Sequence, residues 1–149
     1  MIKFFLTIFF IINFAYAETK PATCPAVKEL YKNEDSIWIT KSNWRSFNPS
    51  FIENITHFSG AQWQGEKIGQ LLCTYDDDTN YTFPVTLQSP FLSIAPTGKF
   101  WKMSKDGKLA TCTNAKITDC VVEKVNSNEQ KLDSNEKVIE FLQSIRSKN

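Results

Sequence analysis

The chain contains one histidine, His57, which is the natural candidate for acid–base chemistry. Nucleophilic catalysis needs a base, usually a histidine, within reach of a serine, threonine or cysteine nucleophile. No serine lies in a G-x-S-x-G motif, and His57 in the segment Asn54-Ile-Thr-His57-Phe suits a hydrogen-bonding loop position equally well. The sequence therefore predicts no catalytic residue here.

Three glutamates, Glu53, Glu66 and Glu123, have the side chains that glycoside hydrolysis uses in pairs. Such a pair is defined by the distance between two carboxylates, which chain order does not show. With 16 acidic residues in the chain, residue type alone selects no pair. A hydrolase is therefore only a third hypothesis.

The acidic run Asp76–Asp78 followed by Asn80 begins like a calcium loop, in which oxygen ligands alternate along the chain. The sixth position of such a loop needs a glycine and is Tyr81 here. The twelfth position should be a bidentate glutamate and is Leu87. We therefore expect a solvated turn, and we predict no metal site and no cofactor.

Four cysteines, Cys24, Cys73, Cys112 and Cys120, form an even set, which in an exported chain predicts two disulfides. Three pairings are open. We favour Cys112–Cys120, which closes a short loop, together with Cys24–Cys73, which ties the N-terminal part to the middle of the chain. A zinc site is the competing hypothesis, but the sequence has no C-x-x-C pair.

Four tryptophans, Trp38, Trp44, Trp63 and Trp101, can form a core, stack on sugars or anchor an interface. We expect Trp63 to lie nearest the surface, because Gly60 and Gly65 flank it and leave it uncovered. The candidate interaction surface consists of Trp63, Trp101, Phe141 and Ile145.

Residues 1–17 resemble a secretory signal peptide, with Lys3, an apolar stretch and Ala15-Tyr16-Ala17 before the cleavage point. The alternative is an uncleaved membrane anchor. Removal of this segment leaves 16 basic residues, which is 17 minus Lys3, against 16 acidic ones. This balance argues against a nucleic-acid partner. We predict that residues 18–149 form a single domain.

The remaining patterns predict an α+β fold, an antiparallel β-sheet flanked by an N-terminal and a C-terminal helix. The first helix should run from Pro25 to about Asn33. Alternating residues predict a hairpin of strands 68–75 and 81–87, and Asp106-Gly107 predicts a second hairpin. Residues 120–125 would form a last strand.

The C-terminal part begins with a polar stretch, residues 126–134, that we interpret as a linker. Asp133 and Glu136 have the spacing of a helix capping box. The helix that follows would carry an apolar stripe on one face, made of Val138, Phe141, Leu142 and Ile145. This stripe must cover either the sheet or a partner protein.

The segments "TCPAVKEL", "FSGAQWQGEKIGQLLCTYDDD", "YTFPVTL" and "CTNAKITDC" follow the signal segment in an order that resembles small exported Gram-negative proteins related to EirA. Those proteins are associated with the Dot/Icm type IVB secretion system. The resemblance implies a non-enzymatic accessory protein at the inner membrane or in the periplasm that supports effector delivery. It implies no catalytic or ligand-binding residues.

The sequence thus predicts a non-enzymatic periplasmic interaction protein. Its partners would be envelope or secretion-system proteins, and self-association and peripheral membrane association stay open. The alternative is a periplasmic glycan-binding or lysozyme-inhibitor-like protein. Exposed tryptophan rings in a row would favour the glycan, whereas a contiguous exposed apolar patch would favour a protein partner.

Overall fold

A computed structural model describes residues 19–79, 83–113 and 116–125, and these residues form mostly antiparallel β-sheet. Their only helical elements are two 3-10 turns, Val27–Glu29 and Ile117–Asp119. The predicted α+β class is therefore wrong, because no described helix reaches seven residues. The signal segment 1–17, the linker 126–134 and the stripe that includes Phe141 and Ile145 lie outside the described residues.

Ten strands make up the sheet. Their bounds are β1 Thr19–Ala22, β2 Tyr31–Lys32, β3 Trp38–Ile39, β4 Arg45–Ser46, β5 His57–Gly65, β6 Ile68–Asp76, β7 Val85–Ile94, β8 Trp101–Met103, β9 Leu109–Cys112 and β10 Val122–Val125. They are hydrogen-bonded in the order β2-β3-β4-β7-β6-β5-β9-β8, while β10 pairs with both β1 and β7. No described helix is long and apolar enough to cross a bilayer.

The central hairpin of β6 and β7 confirms that the two predicted strands pair, although β7 spans Val85–Ile94 instead of the predicted 81–87. Cys73 lies opposite Leu87 and Tyr75 lies opposite Val85, and all four side chains are buried. Successive residues of a strand point to opposite faces, so these four share the face that meets the core. The hairpin predicted at Asp106-Gly107 is also present, as β8 paired with β9.

The N-terminal segment differs most from the prediction. Where we expected a helix from Pro25 to about Asn33, three residues form a 3-10 turn and the chain then extends into β2. Pairing of Tyr31 with Ile39 places the backbone groups in the sheet ladder, and Tyr75 Oη donates a hydrogen bond of 2.7 Å to the Pro25 carbonyl. These long-range contacts outweigh the local helical periodicity.

Both favoured disulfides are present, Cys24–Cys73 and Cys112–Cys120, with Cα separations of 5.8 and 5.7 Å. The first bridge holds the segment before the first 3-10 turn against the centre of β6, and the second holds β9 against the segment before β10. All four cysteines are buried in the core. The bridges indicate an oxidising compartment, extracellular or periplasmic.

Candidate functional site

Trp63, which we expected near the surface, lies at the centre of the sheet with an exposure of 0%. Its Nε1 donates a hydrogen bond of 3.3 Å to the Ser93 carbonyl. An ideal Cβ at Gly69 would stand 2.7 Å from Trp63 Cε2, so only glycine leaves room for the indole ring there. The nearby glycines therefore bury the tryptophan instead of exposing it, and Trp63 is not available to a partner.

The other tryptophans also belong to the core or its margin. Trp38 and Trp44 are buried. Trp101 is half-buried against the core, and its Nε1 donates a hydrogen bond of 2.9 Å to the Val121 carbonyl. The described part of the chain therefore presents no row of exposed tryptophan rings for stacking on a sugar.

Phenylalanines form the exposed aromatic surface instead. Phe51 is 96% exposed, Phe83 is 93% exposed and Phe47 is 58% exposed. These three side chains line one groove with a volume of about 670 Å³. We call it the phenylalanine groove; its lining residues are Ser46, Phe47, Asn48, Pro49, Ser50, Phe51, Ile52, Phe83, Pro84, Val85 and Thr86.

One wall of the phenylalanine groove is the loop that follows β4, and several contacts hold this loop in place. Ser46 Oγ accepts a hydrogen bond from the Trp38 amide and donates one to the Asn48 carbonyl, both at 3.1 Å. The Ser50 amide donates to the Ser36 carbonyl at 2.9 Å. Ile52, with an exposure of 1%, anchors the end of the loop in the core. The backbone that carries Phe47 and Phe51 is thus fixed at both ends.

The opposite wall is the entry to β7. Pro84 has no amide hydrogen to donate, which suits a position before a ladder begins, and the next residue, Val85, is buried. Ser46 lies opposite Leu87 where β4 pairs with β7. Because this ladder joins the two walls, the groove is part of the sheet framework.

Among the described residues that line the groove, none has an acidic, basic, imidazole or thiol side chain. Its polar side chains are those of Ser46, Asn48, Ser50 and Thr86, which are neutral. General acid–base catalysis and metal binding need titratable or anionic groups. The lining suits an apolar ligand with hydrogen bonds at the margin.

His57 lies at the start of β5 with its side chain half exposed. Its Nδ1 is 2.9 Å from Thr56 Oγ1 and 3.7 Å from Asp78 Oδ1. A hydrolytic triad needs the nucleophile and the orienting carboxylate at opposite ring nitrogens, whereas both contacts here involve the same nitrogen. Thr56 Oγ1 also bonds Asp78 Oδ1 at 3.0 Å. The cluster therefore fits the role of holding the acidic turn to β5.

Two of the three glutamates pair with lysines. Glu53 pairs with Lys32 at 3.0 Å, and Glu66 pairs with Lys108 at 3.2 Å. Glu123 lies on β10. Among the described residues there is no cluster of three or more His, Cys, Asp or Glu that could hold a metal ion.

Two titratable groups in the described part of the chain have shifted pKa values, and both have structural causes. Burial, with a smaller contribution from the charge of Glu29, raises the pKa of the Tyr75 hydroxyl well above its usual range. Hydrogen bonds from Ser104 Oγ and the Lys108 amide lower the pKa of the exposed Asp106 carboxyl, which caps the turn between β8 and β9. Neither group lines the phenylalanine groove.

The chain matches no protein-family model, no curated protein and no solved structure. The resemblance to the EirA-related proteins therefore stays a hypothesis. The phenylalanine groove is the feature of the described structure from which a function can be inferred.

Sequence analysis did not identify the groove. It included Phe83 in the predicted strand 81–87 and did not select Phe47 or Phe51 as candidate site residues. The available signal was proline: Phe47 and Phe51 flank Asn48-Pro49-Ser50, and Phe83 precedes Pro84. Proline interrupts a ladder, so an aromatic residue beside it need not follow the alternation of the neighbouring strand.

Proposed function

We propose that the protein is a non-enzymatic interaction protein of the bacterial envelope that binds an apolar segment of another protein in the phenylalanine groove. The observation that carries the proposal is the exposure of Phe47, Phe51 and Phe83 in one groove on a fixed framework. A contiguous apolar patch rimmed by polar groups is typical of a protein-binding surface. Aromatic anchors in a prearranged groove also lose little conformational freedom on binding.

The compartment proposed is the periplasm, with residues 1–17 as the export signal. The two disulfides support an oxidising location. The resemblance to the EirA-related proteins supports an accessory role for the type IVB secretion system, with an envelope component of that system as the partner. Peripheral association with the inner membrane would then come through that partner.

The glycan-binding alternative has less support. It needs exposed tryptophan rings, and the described structure buries or half-buries all four. Phenylalanine offers an apolar face without a polar handle, so the groove is better suited to apolar side chains than to the hydroxyl-rich edges of a sugar.

The test is a crosslinking pull-down of the tagged chain from intact cells, with partners identified by mass spectrometry and their binding then measured with purified proteins. We expect Phe51→Asp and Phe83→Asp to lower the affinity of an envelope partner by roughly tenfold or more each, because each buried aromatic contact replaced by a charge removes well over 1.4 kcal/mol. The matched control is Met103→Asp, at an exposed position on β8 outside the groove.

The proposal fails if Phe51→Asp and Phe83→Asp bind the identified partner as tightly as Met103→Asp does. It also fails if the wild-type chain retains only peptidoglycan or other glycan, because that result would support the sugar-binding alternative.

A further inference from the structure

The last described strand directs the chain toward the phenylalanine groove. β10 pairs with β7 in antiparallel fashion, with Lys124 opposite Ser93. Increasing residue numbers in β10 therefore run toward decreasing numbers in β7, that is, toward the groove-lining residues Val85 and Thr86. At Val125, β10 is therefore directed toward the end of β7 that borders the groove.

The edge of β7 that pairs with β10 is not free along its whole length. β4 occupies the same edge of β7, with Arg45 opposite Gln88 and Ser46 opposite Leu87. β4 therefore occupies this edge between Ser93, where β10 pairs, and the groove-lining Val85. The loop after β4, which forms one wall of the phenylalanine groove, begins immediately beyond this obstacle.

The chain outside the described residues is long enough to reach the groove. The register places Val125 near Leu92, and the seven residues from there to Val85 span roughly 23 Å at 3.3 Å per residue. Residues 126–133, which precede the predicted helix, can cover up to about 28 Å. The helix that carries the stripe can thus begin at the groove.

The composition of residues 138–145 matches what the groove can accept. Val138, Phe141, Leu142 and Ile145 have the i, i+3, i+4, i+7 spacing of segments that bind an apolar groove through one face. A groove of about 670 Å³ falls within the range of roughly 300–1,000 Å³ that accommodates a ligand of several apolar groups. Both sides of the proposed contact are apolar and lack a buried charge that would have to be desolvated.

We propose that the apolar stripe Val138, Phe141, Leu142 and Ile145 occupies the phenylalanine groove of its own chain. The inference deepens the proposed function and depends on it in one respect: the partner binds by displacing the stripe. The stripe then also defines the partner's chemistry, a segment with large aliphatic and aromatic residues at the same spacing. A partner must bind the groove tightly enough to compete with the tethered stripe. The effective concentration of such a stripe is in the millimolar range for a short flexible tether.

The experiment uses the purified full-length oxidised chain with the photocrosslinking residue p-benzoylphenylalanine in place of Phe83. Equal amounts of ¹⁵N-labelled and unlabelled chains are mixed before irradiation, and crosslinked peptides are identified by mass spectrometry. We expect crosslinks from position 83 to residues 133–146 within chains of one isotopic composition. The same crosslinker in place of Met103, outside the groove, should give no crosslink to this segment.

Variants of the stripe test whether its apolar side chains are responsible. Phe141→Asp combined with Ile145→Asp should lower the yield of the crosslink roughly tenfold or more, because two apolar contacts are lost. Gln143→Asp introduces a charge in the same segment off the stripe, and it should leave the yield unchanged. The same double variant should raise recovery of the partner from cells, because the competing segment is removed.

Several results would overturn the inference. They are crosslinks that join labelled to unlabelled chains, crosslinks from position 83 that avoid residues 133–146, and a yield that the double variant leaves unchanged. If one of these occurs while Phe51→Asp still abolishes binding of an envelope partner, only the intramolecular contact is wrong. If the intramolecular crosslink forms and no partner binds the groove in the double variant, only the proposed function is wrong.

Discussion

Aromatic side chains are buried at the centre of the sheet and exposed in the phenylalanine groove. At the centre, Trp63 has an exposure of 0%. Its indole ring lies against Gly69, where a Cβ atom would clash with it. In the groove, Phe51 and Phe83 are almost fully exposed, in segments outside the strands that also contain Pro49 and Pro84. The ring beside Gly69 is thus part of the core, whereas the rings of Phe51 and Phe83 are accessible from solvent.

The sharpest test of this comparison is Trp63→Ala against Phe83→Ala. Removing a fully buried indole leaves a cavity and should lower the free energy of unfolding by about 3–5 kcal/mol. Removing the exposed phenyl ring of Phe83 should change it by no more than about 0.5 kcal/mol. Urea unfolding followed by tryptophan fluorescence and by far-ultraviolet circular dichroism measures both values. Similar losses for the two variants would remove the distinction between the regions.

The two disulfides of the core differ in the length of chain that each one closes. In the loop-entropy model, the bridge across 49 residues of sequence, Cys24–Cys73, stabilises the fold by about 4 kcal/mol. The bridge across eight residues, Cys112–Cys120, contributes about 2.5 kcal/mol. We therefore expect Cys24→Ala/Cys73→Ala to cost about 1.5 kcal/mol more than Cys112→Ala/Cys120→Ala in urea unfolding. The reverse order would contradict the chain-entropy explanation.

Tyr75 gives a pH test of burial at the sheet centre. Its folded-state pKa is raised, so above about pH 10, the ordinary tyrosine value, the unfolded chain loses a proton that the folded chain retains. The free energy of unfolding should then fall with rising pH, and Tyr75 alone contributes about 1.4 kcal/mol per pH unit. Tyr75→Phe removes this contribution and makes the decline shallower.

The control for this titration is Tyr31→Phe, because Tyr31 is exposed on the edge strand β2. Unfolding is measured between pH 8 and pH 11 in the wild type and in both variants. Equal pH profiles for wild type and Tyr75→Phe would show that the Tyr75 hydroxyl titrates as it would in solvent, contrary to its buried hydrogen bond to Pro25.

Sequence analysis worked best where the signal was local. Alternation between Leu71 and Tyr75 predicted the hairpin of β6 and β7, because side chains of a strand must point alternately to its two faces. Asp106-Gly107 predicted the turn between β8 and β9, where Gly107 adopts a φ of +70° that favours glycine. Each of these inferences needs only neighbouring residues.

The analysis was wrong where distant partners decide the outcome. Residues 25–33 have a helical spacing of apolar side chains, but the Cys24–Cys73 bridge and the pairing of β2 with β3 draw them into the sheet. No strand was predicted before Cys24, and Thr19–Ala22 form β1 because β10 supplies a partner strand 100 residues later, as with Ala22 opposite Val122. The local sequence pattern contains no information about a pairing partner so far away in the chain.

The amino-acid sequence by itself determined the central hairpin, the turn at Asp106-Gly107 and a cysteine set whose favoured pairing the structure confirms, because alternation, turn residues and loop closure are properties of the chain. Only the tertiary structure decided which aromatic rings are buried. Trp63 is covered because Gly69 lets the indole lie against the neighbouring strand, and Phe83 is exposed because nothing among the described residues packs over it. Burial depends on what lies across the sheet, and that is set only when the strands assemble.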